Sequence, residues 1–267
     1  MQDYTTIRCD VGDRVGRILL NRPEIHNAFN DVMITELLEV LSRLASDEDV
    51  RVVVLTGSGK SFCAGADLHW MKAVKDYSYD ENVADALELS KLLYAIYSLP
   101  KPTIARVNGA AIGGGTGFVS TCDMAIAAET AKFSFSEVKI GVVPACISPY
   151  VVRKVGEGTC REFFLTGKRL TAAEVEQAGL VNRVVPVEQL DAAVDDLIKE
   201  LLSSGPHALG VCKDLLENVP SMSLEDAQLY TAKILATLRM GDEGQEGMSA
   251  YFDKRKPQWA SPQQPAD

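Results

Sequence analysis

Twice in this sequence an apolar, strand-like run leads into a turn of small residues, and this repetition constrains the fold more than any other feature. The run Val50–Thr56 precedes Ser61–Leu68 (SFCAGADL), and Thr103–Val107 precedes Asn108–Asp123 (NGAAIGGGTGFVSTCD). Continuous apolar runs are typical of strands that are buried on both faces. Glycines after such a strand allow a ligand to approach the main chain closely. Two turns of this kind, if they converge, offer a site built from backbone groups.

The two turns predict an oxyanion hole in which Ala66 and Gly114 each donate a backbone N–H to one point. Such donors stabilise negative charge that develops on a carbonyl oxygen. A helix expected to start near Thr116 would add its positive end to the same place. A lone glycine-rich turn is more often only a tight strand-to-helix connection, so the hypothesis depends on the second turn.

Nucleotide-binding motifs are excluded by spacing. In TGSGKSF, the first glycine of a phosphate loop would have to stand at position 54, which is Val54, and another turn rather than a helix follows Ser61. The triple-glycine stretch reads GGGTG and lacks the GxGxxG spacing of a dinucleotide fold. We therefore expect neither nucleotide hydrolysis nor hydride transfer.

Charge and composition restrict the partners. The 267 residues carry a formal net charge of −10, which opposes binding to nucleic acid. No apolar run approaches the roughly 20 residues that a membrane span requires, and no signal segment opens the chain, so we expect a cytoplasmic protein without membrane contact. The six cysteines are spread singly and the three histidines lie in distant contexts, so we expect no metal site and no Ser-His-Asp triad.

Apolar periodicity predicts a mixed α/β chain that becomes helical towards its C-terminus. Apolar residues recur at intervals of three and four from Met33 to Leu44, after a cap at Asn30 or Asp31. Strand, helix and strand in that order imply a parallel pair. From the residues alone, the polar, aromatic stretch from Trp70 to Asn82 is typical of a plain surface loop. Further helices are expected at 82–99, 160–165, 171–178, 190–202, 207–217, 224–240 and 243–252.

Together with NRPEIHNAF near the N-terminus and Phe133–Pro144, the two turns resemble the crotonase family of enoyl-CoA hydratases and isomerases. The resemblance runs from about Val11 to Arg255. It implies a spiral of ββα turns over residues 1–203 and a helical region at 204–258 that builds a homotrimer or a hexamer, while 259–267 is expected to be a disordered tail. It also implies an acyl-CoA thioester as substrate, with no separate cofactor, and a mobile wall over the acyl pocket at 70–82.

The resemblance assigns proton transfer to Glu137 and the oxyanion hole to Ala66 and Gly114. Apolar neighbours of Glu137 would partly desolvate its carboxylate, which suits it to acid–base work. From the residues alone, a single Glu in an apolar run is more often a surface residue, so the resemblance carries this assignment. Further residues are expected to contact the CoA or acyl part, namely His26, Ala28, Ala64, Asp67, Leu68, Gly113, Gly117 and Pro144.

The chain departs from the family pattern at two places. Hydratases of the family commonly use a second glutamate twenty positions before the first, where this chain has Gly117. Gly117 is expected to leave room beside the reacting carbons and to remove a charge that would repel an acidic substrate. The second departure is Pro144–Tyr150 (PACISPY), where many members have a glycine-rich turn.

Three functions stay open. ISPYV, HNAFN and GADLHWM resemble bacterial 3-methylglutaconyl-CoA hydratases and their isoprenoid-degrading relatives, which favours reversible hydration of a 2-enoyl-CoA. Isomerisation of a 3-enoyl-CoA to a 2-enoyl-CoA needs one proton-shuttling group and fits a single Glu137 equally well. A non-catalytic binding protein of the same fold is the third; the acidic charge and the retained Glu137 favour an enzyme.

Overall fold

The computed structural model describes residues 4–260. These residues group into two compact units, one formed by 4–99 with 103–195 and the other by 100–102 with 196–260. The division after residue 195 falls inside the helix Leu190–Ser203, ahead of the predicted boundary at 203/204, which stays a prediction.

The strands of the first unit form two sheets. In chain order, β1 to β10 are Ile7–Gly12, Val15–Leu20, Val52–Gly57, Ser61–Cys63, Thr103–Val107, Ala110–Ile112, Met124–Ala128, Lys132–Ser134, Arg169–Thr171 and Arg183–Val185. The larger sheet has the order β1-β2-β3-β5-β7-β10, antiparallel between β1 and β2 and parallel elsewhere. The smaller sheet has the order β4-β6-β8-β9, parallel up to β8 and antiparallel between β8 and β9.

Helices follow the strand pairs and form the whole C-terminal part of the described chain. In chain order, α1 to α10 are Asp31–Ser46, Leu68–Ala73, Tyr79–Tyr97, Gly114–Thr121, Ser148–Thr166, Ala172–Gln177, Leu190–Ser203, Pro206–Asn218, Leu224–Met240 and Asp242–Phe252. Three successive strand pairs, β3–β4, β5–β6 and β7–β8, each send one strand to each sheet. The predicted α/β fold with a ββα spiral and a helical C-terminal region is therefore confirmed.

Predictions that rest on local signals agree with the structure. The Asn30 side chain caps α1 by accepting the Met33 N–H at 3.1 Å, and the predicted apolar stripe of α1 is buried. β2 and β3 pair in parallel, with Val15 opposite Val52. The N-terminus of α6 is held by a capping box between Thr171 and Glu174.

The alternative of a plain surface loop at 70–82 is wrong, and the mobile wall over the acyl pocket stays a prediction. These residues form most of α2, the 3-10 helix Val74–Asp76 and the start of α3. The third helix begins at Tyr79 because Ser78 and Glu81 form a capping box, which ends the non-helical stretch earlier than apolar periodicity indicates.

The second unit is held by contacts among its own helices. Glu243 at the start of α10 accepts the N–H groups of His207 and Ala208 at 2.9 Å each, and so caps α8. Of the predicted tail at 259–267, Trp259 and Ala260 lie in a 3-10 helix, where the Trp259 indole donates to the Ser203 carbonyl at 3.1 Å. Residues 261–267 lie outside the described part. Within 4–260, no helix combines the length and apolar character needed to cross a bilayer.

Candidate active site

A loop after β2 is bonded, residue by residue, to the first small-residue turn. Ala64 donates its N–H to the His26 carbonyl at 3.0 Å, Phe29 donates to the Gly65 carbonyl at 2.8 Å, and Asp67 donates to the Phe29 carbonyl at 2.8 Å. These bonds form a parallel bridge between Phe29 and Ala66. Because Phe29 bonds to the residues on either side of Ala66, the N–H of Ala66 itself is directed away from Phe29.

The two small-residue turns lie in direct contact. A Cβ at Gly65, where φ is +93°, would lie 2.9 Å from the Ile112 carbonyl oxygen and 3.9 Å from the Gly114 nitrogen. A Cβ at Gly115 would overlap the carbonyl oxygen of Cys63. This approach is possible only without side chains at these positions, so the glycines allow the turns to converge.

Gly114 is the first residue of α4, so the expected start near Thr116 is two residues too late. The first intrahelical bond of this turn runs from the Gly117 N–H to the Gly113 carbonyl at 3.1 Å. The N–H groups of the first helical turn have no acceptor within a helix. Among residues 4–260, no backbone acceptor is found for the N–H of Ala66 or of Gly114. Both donors are therefore available to a ligand.

Aromatic rings fix the position of Gly114. A Cβ on Gly114 would lie 2.6 Å from Cε1 of Phe29, so the Phe29 ring lies directly on this backbone. Phe29 in turn contacts Phe118 and Trp70, with ring centroids 5.3 and 5.8 Å away. The Phe29 ring is thus confined and cannot yield to a side chain at position 114.

Glu137 lies beside these donors. It belongs to the 3-10 helix Ser136–Ile140 that follows β8, and its Oε1 lies 3.1 Å from the place of a Cβ on Gly113. Its Oε2 is buried and has no hydrogen-bond partner among the described residues. Burial raises the pKa of the Glu137 carboxyl, and the Glu137 backbone N–H lowers it by a smaller amount. A carboxyl that is desolvated and has one oxygen without a partner is suited to proton transfer.

Asp67 braces the first turn. Its Oδ1 accepts the His69 N–H at 2.7 Å as the N-cap of α2, and its Oδ2 pairs with Arg22 at 2.8 Å. Burial acts to raise the pKa of Asp67, but hydrogen bonds from His69 and Arg22 outweigh it and the pKa falls below its ordinary value. Arg22 also donates to the Ala28 carbonyl at 2.8 Å. The acceptor atoms of Asp67 are therefore committed to the fold.

The remaining predicted residues divide into two groups. Ala64 and Gly113 lie on the converging turns and Ala28 on the loop after β2, while His26 is exposed, with Nδ1 3.0 Å from Ser61 Oγ. Leu68 begins α2 and is 75% exposed at the rim. Pro144 and Gly117 belong to a different part of the surroundings, next to the start of α5. Pro144 is buried, and its carbonyl accepts the Ser148 N–H at 3.0 Å.

The expectation that Gly117 leaves open room is wrong. A Cβ at position 117 would overlap Cγ2 of Ile147 and would lie 3.6 Å from Cδ2 of Leu93. Ile147 is fully buried at 2% exposure. The volume beside Gly117 is therefore occupied by hydrocarbon.

Sequence reasoning missed three residues around the site. Phe29 and Ile147 pack on glycines that are distant in sequence, so no local pattern predicts these contacts. The one signal in the sequence is that Phe29 lies in HNAFN and Ile147 in PACISPY. Asp85 stands on α3 and is half-buried next to Trp70; burial raises the pKa of its carboxyl, and a hydrogen bond with Trp70 lowers it by less. Nothing in the pattern of α3 distinguishes Asp85 from the solvent-facing acids around it.

Comparisons with known proteins agree on one family. Residues 10–263 match the family described as enoyl-CoA hydratase/isomerase. The chain is 39% identical over 245 residues to a putative enoyl-CoA hydratase of Thermus thermophilus, covering 92% of this chain and 97% of that protein. A probable mitochondrial enoyl-CoA hydratase of Dictyostelium discoideum is 33% identical over 261 residues, covering 97% and 92%. An enoyl-CoA hydratase structure from Shewanella pealeana superposes with a TM-score of 0.93 at 38% identity, covering 96% of each chain.

Proposed function

The chain belongs to the enoyl-CoA hydratase/isomerase family, and from this premise we propose that it catalyses the reversible addition of water across the double bond of a 2-enoyl-CoA. One observation carries the proposal. The carboxyl of Glu137, whose Oε2 has no partner among the described residues, lies against the same glycine turn that presents the N–H of Gly114.

In this proposal, Ala66 and Gly114 donate their N–H groups to the thioester carbonyl oxygen of the substrate. Polarisation of the carbonyl withdraws electrons from C3, and the negative charge that reaches the oxygen as water adds is held by the two donors. Both donors are rigid, because the bridge to Phe29 fixes one and the Phe29 ring fixes the other. The hole therefore needs little reorganisation during the reaction.

Glu137 is the acid–base group. Its carboxylate takes a proton from water as the water oxygen bonds to C3, and the resulting carboxylic acid returns a proton to C2, so the carboxylate is regenerated in each turnover. A single carboxyl suffices for this balance. No separate cofactor enters the proposal, because the CoA thioester itself supplies the carbonyl that is polarised.

We propose a branched, carboxylate-bearing chain such as 3-methylglutaconyl-CoA as the substrate. The support is the resemblance of ISPYV, HNAFN and GADLHWM, and the uncharged pair of Gly117 and Ile147, which does not repel an acidic chain. Free space beside Gly117 is not part of the support, because Ile147 fills it.

Isomerisation of a 3-enoyl-CoA is the second candidate, and the hydrocarbon beside Gly117 favours it. An isomerase moves a proton from C2 to C4 of the same chain, so one carboxyl serves both steps and no water has to be positioned. Glu137 supplies that carboxyl, and the buried Ile147 covers Gly117 with hydrocarbon.

Oxygen labelling distinguishes the two. The purified protein is given 3-methylglutaconyl-CoA, crotonyl-CoA and 3-hexenoyl-CoA in ¹⁸O-labelled water, and products are analysed by mass. We expect ¹⁸O in a 3-hydroxyacyl-CoA. Rapid conversion of 3-hexenoyl-CoA without label would establish the isomerase instead. A rise in melting temperature with CoA thioesters, with none consumed, would indicate a binding protein of the same fold.

We also propose that residues 204–258 assemble the chain into a homotrimer or a hexamer. The support is the exposure of apolar side chains on α9 and α10, namely Leu224, Leu229, Met240, Tyr251 and Phe252. Sedimentation at micromolar concentration should show the trimer or hexamer, and a monodisperse monomer would contradict it.

A further inference from the structure

Two glycines at the start of α4 have different surroundings. Gly113 is the N-cap of α4, and Gly117 lies one turn into the helix, with its N–H bonded to the Gly113 carbonyl at 3.1 Å. The carboxyl of Glu137 lies beside Gly113, and the hydrocarbon of Ile147 lies on Gly117. The polarity of the surroundings therefore changes within the first turn of α4.

Ile147 and Gly117 fit each other closely. Besides the overlap with Cγ2, a Cβ at position 117 would lie 3.0 Å from Cβ of Ile147, an atom that no side-chain rotation can move away. Leu93 closes the volume from α3 and is fully buried. Position 117 cannot carry a side chain while Ile147 is present.

The backbone around Ile147 is fixed. Its carbonyl accepts the N–H groups of Tyr150 and Val151 at 3.1 and 3.2 Å, and it stands at the N-cap of α5. Tyr150 packs against Tyr97 of α3 with ring centroids 5.3 Å apart. The backbone of Ile147 is thus fixed by α5, which it precedes, and by the packing of α5 against α3, so its side chain stays on Gly117.

We propose that Ile147 determines the acyl specificity of this site: its side chain fills the volume that would otherwise continue the acyl pocket past Gly117, and so it limits the bulk that a substrate can carry near C3. This inference rests on the proposed function, since it concerns the same acyl-CoA site. The ligand class is an acyl-CoA thioester whose chain is compact beside the reacting carbons.

Binding of saturated CoA thioesters tests the proposal without requiring turnover. Calorimetry would compare butanoyl-CoA with 3,3-dimethylbutanoyl-CoA for the parent, Ile147→Ala and Ile147→Val. Because an extra methyl group in an apolar pocket changes affinity by about tenfold or more, Ile147→Ala should shift the ratio by about tenfold towards the bulkier thioester. Ile147→Val keeps Cγ2 and should leave the ratio within about twofold. An unchanged ratio in folded Ile147→Ala would overturn the proposal.

A packing cycle keeps the proposal testable if Ile147→Ala does not fold. Gly117→Ala should lower the melting temperature, and combining it with Ile147→Gly should restore part of the loss, because the new methyl group then occupies vacated space. A Gly117→Ala protein as stable as the parent would show that Ile147 does not fill this volume. If the parent binds neither thioester, the proposed function fails, while the packing cycle still reports on Ile147 and Gly117.

Discussion

The two turns that meet at the site are held by different forces. The turn that contains Ala66 is braced by polar groups: Asp67 pairs with Arg22, and the fully buried Asn27 amide donates to the carbonyls of Ser58 and Ser61 at 2.8 Å each. The turn that begins α4 is braced by neutral groups, with the buried Thr116 hydroxyl donating to the Ala111 carbonyl at 2.7 Å, and by close packing on its glycines. The first turn should therefore be sensitive to charge and pH, and the second to volume.

Replacing the titrating carboxyl of Glu137, beside the two turns, should have the largest effect on turnover. Glu137→Gln preserves shape, so we expect turnover to fall by roughly 10²–10⁴-fold while butanoyl-CoA still binds. Steady-state kinetics and calorimetry on the same preparation check both statements. Near-parental rates in a folded variant would place acid–base chemistry elsewhere.

Adding a methyl group to the turn that begins α4 should have the next largest effect on turnover. Gly114→Ala places a methyl group 2.6 Å from Cε1 of Phe29, so the turn must move and the N–H must leave its position. We expect a loss of at least about a hundredfold in kcat, comparable to the removal of one oxyanion donor.

The control for Gly114→Ala is Gly12→Ala in β1, where a Cβ meets no atom within 4 Å. The control should keep parental rates and stability. Equal rates for the two variants would mean that packing at Gly114 does not position a donor.

Removing the charge of Asp67 from the turn that contains Ala66 should mainly lower the stability of the folded protein. Asp67→Asn keeps a capping side chain for α2 but leaves Arg22, which is only 19% exposed, without its ionic partner. We expect a loss of about 3 kcal/mol in the free energy of unfolding, measured by urea denaturation. Glu157→Gln, which breaks the exposed pair with Arg161, is the control and should cost under about 0.5 kcal/mol.

The pair also predicts a pH dependence. Since the folded state lowers the pKa of Asp67, its contribution is complete above the unfolded pKa and is lost as pH falls through the folded pKa. The difference between parent and Asp67→Asn should therefore shrink on acidification. A difference that is constant down to strongly acidic pH would contradict this origin.

The smallest effect concerns the stability of Glu137→Gln. The folded state raises the pKa of Glu137, so ionisation opposes folding above the unfolded pKa and has no effect below it. Glu137→Gln should melt about 2 °C higher than the parent at neutral pH and no higher in acid. An equal rise in melting temperature at both pH values would show that burial of the ionised carboxylate does not destabilise the folded state.

Features with local signals could be predicted from the sequence. The cap at Asn30, the capping box at Thr171 and the apolar stripe of α1 depend on residues within a few positions of one another. The candidate site was located because its two turns follow apolar strands, and the resemblance then placed Glu137 beside them.

Features that depend on distant contacts could not be predicted in this way. The smaller sheet is built from strands of three residues whose partners are far apart in sequence, so alternation of polarity gives no signal. The sequence likewise shows that Gly117 lacks a side chain, but only the structure shows that Ile147 occupies its place. The resemblance predicts Asp67 at the substrate, but its hydrogen-bond partners, Arg22 and the start of α2, could be identified only from the structure.

The central claim is that Glu137 alone carries the proton, and the pH dependence of kcat/KM for the 2-enoyl-CoA tests it most directly. In the hydration direction Glu137 must be ionised to take a proton from water, so kcat/KM should fall on acidification through one ionisation, with a midpoint above the ordinary pKa of a glutamate. The residual activity of Glu137→Gln should lack this ionisation. An acidic limb that persists unchanged in Glu137→Gln would contradict the account.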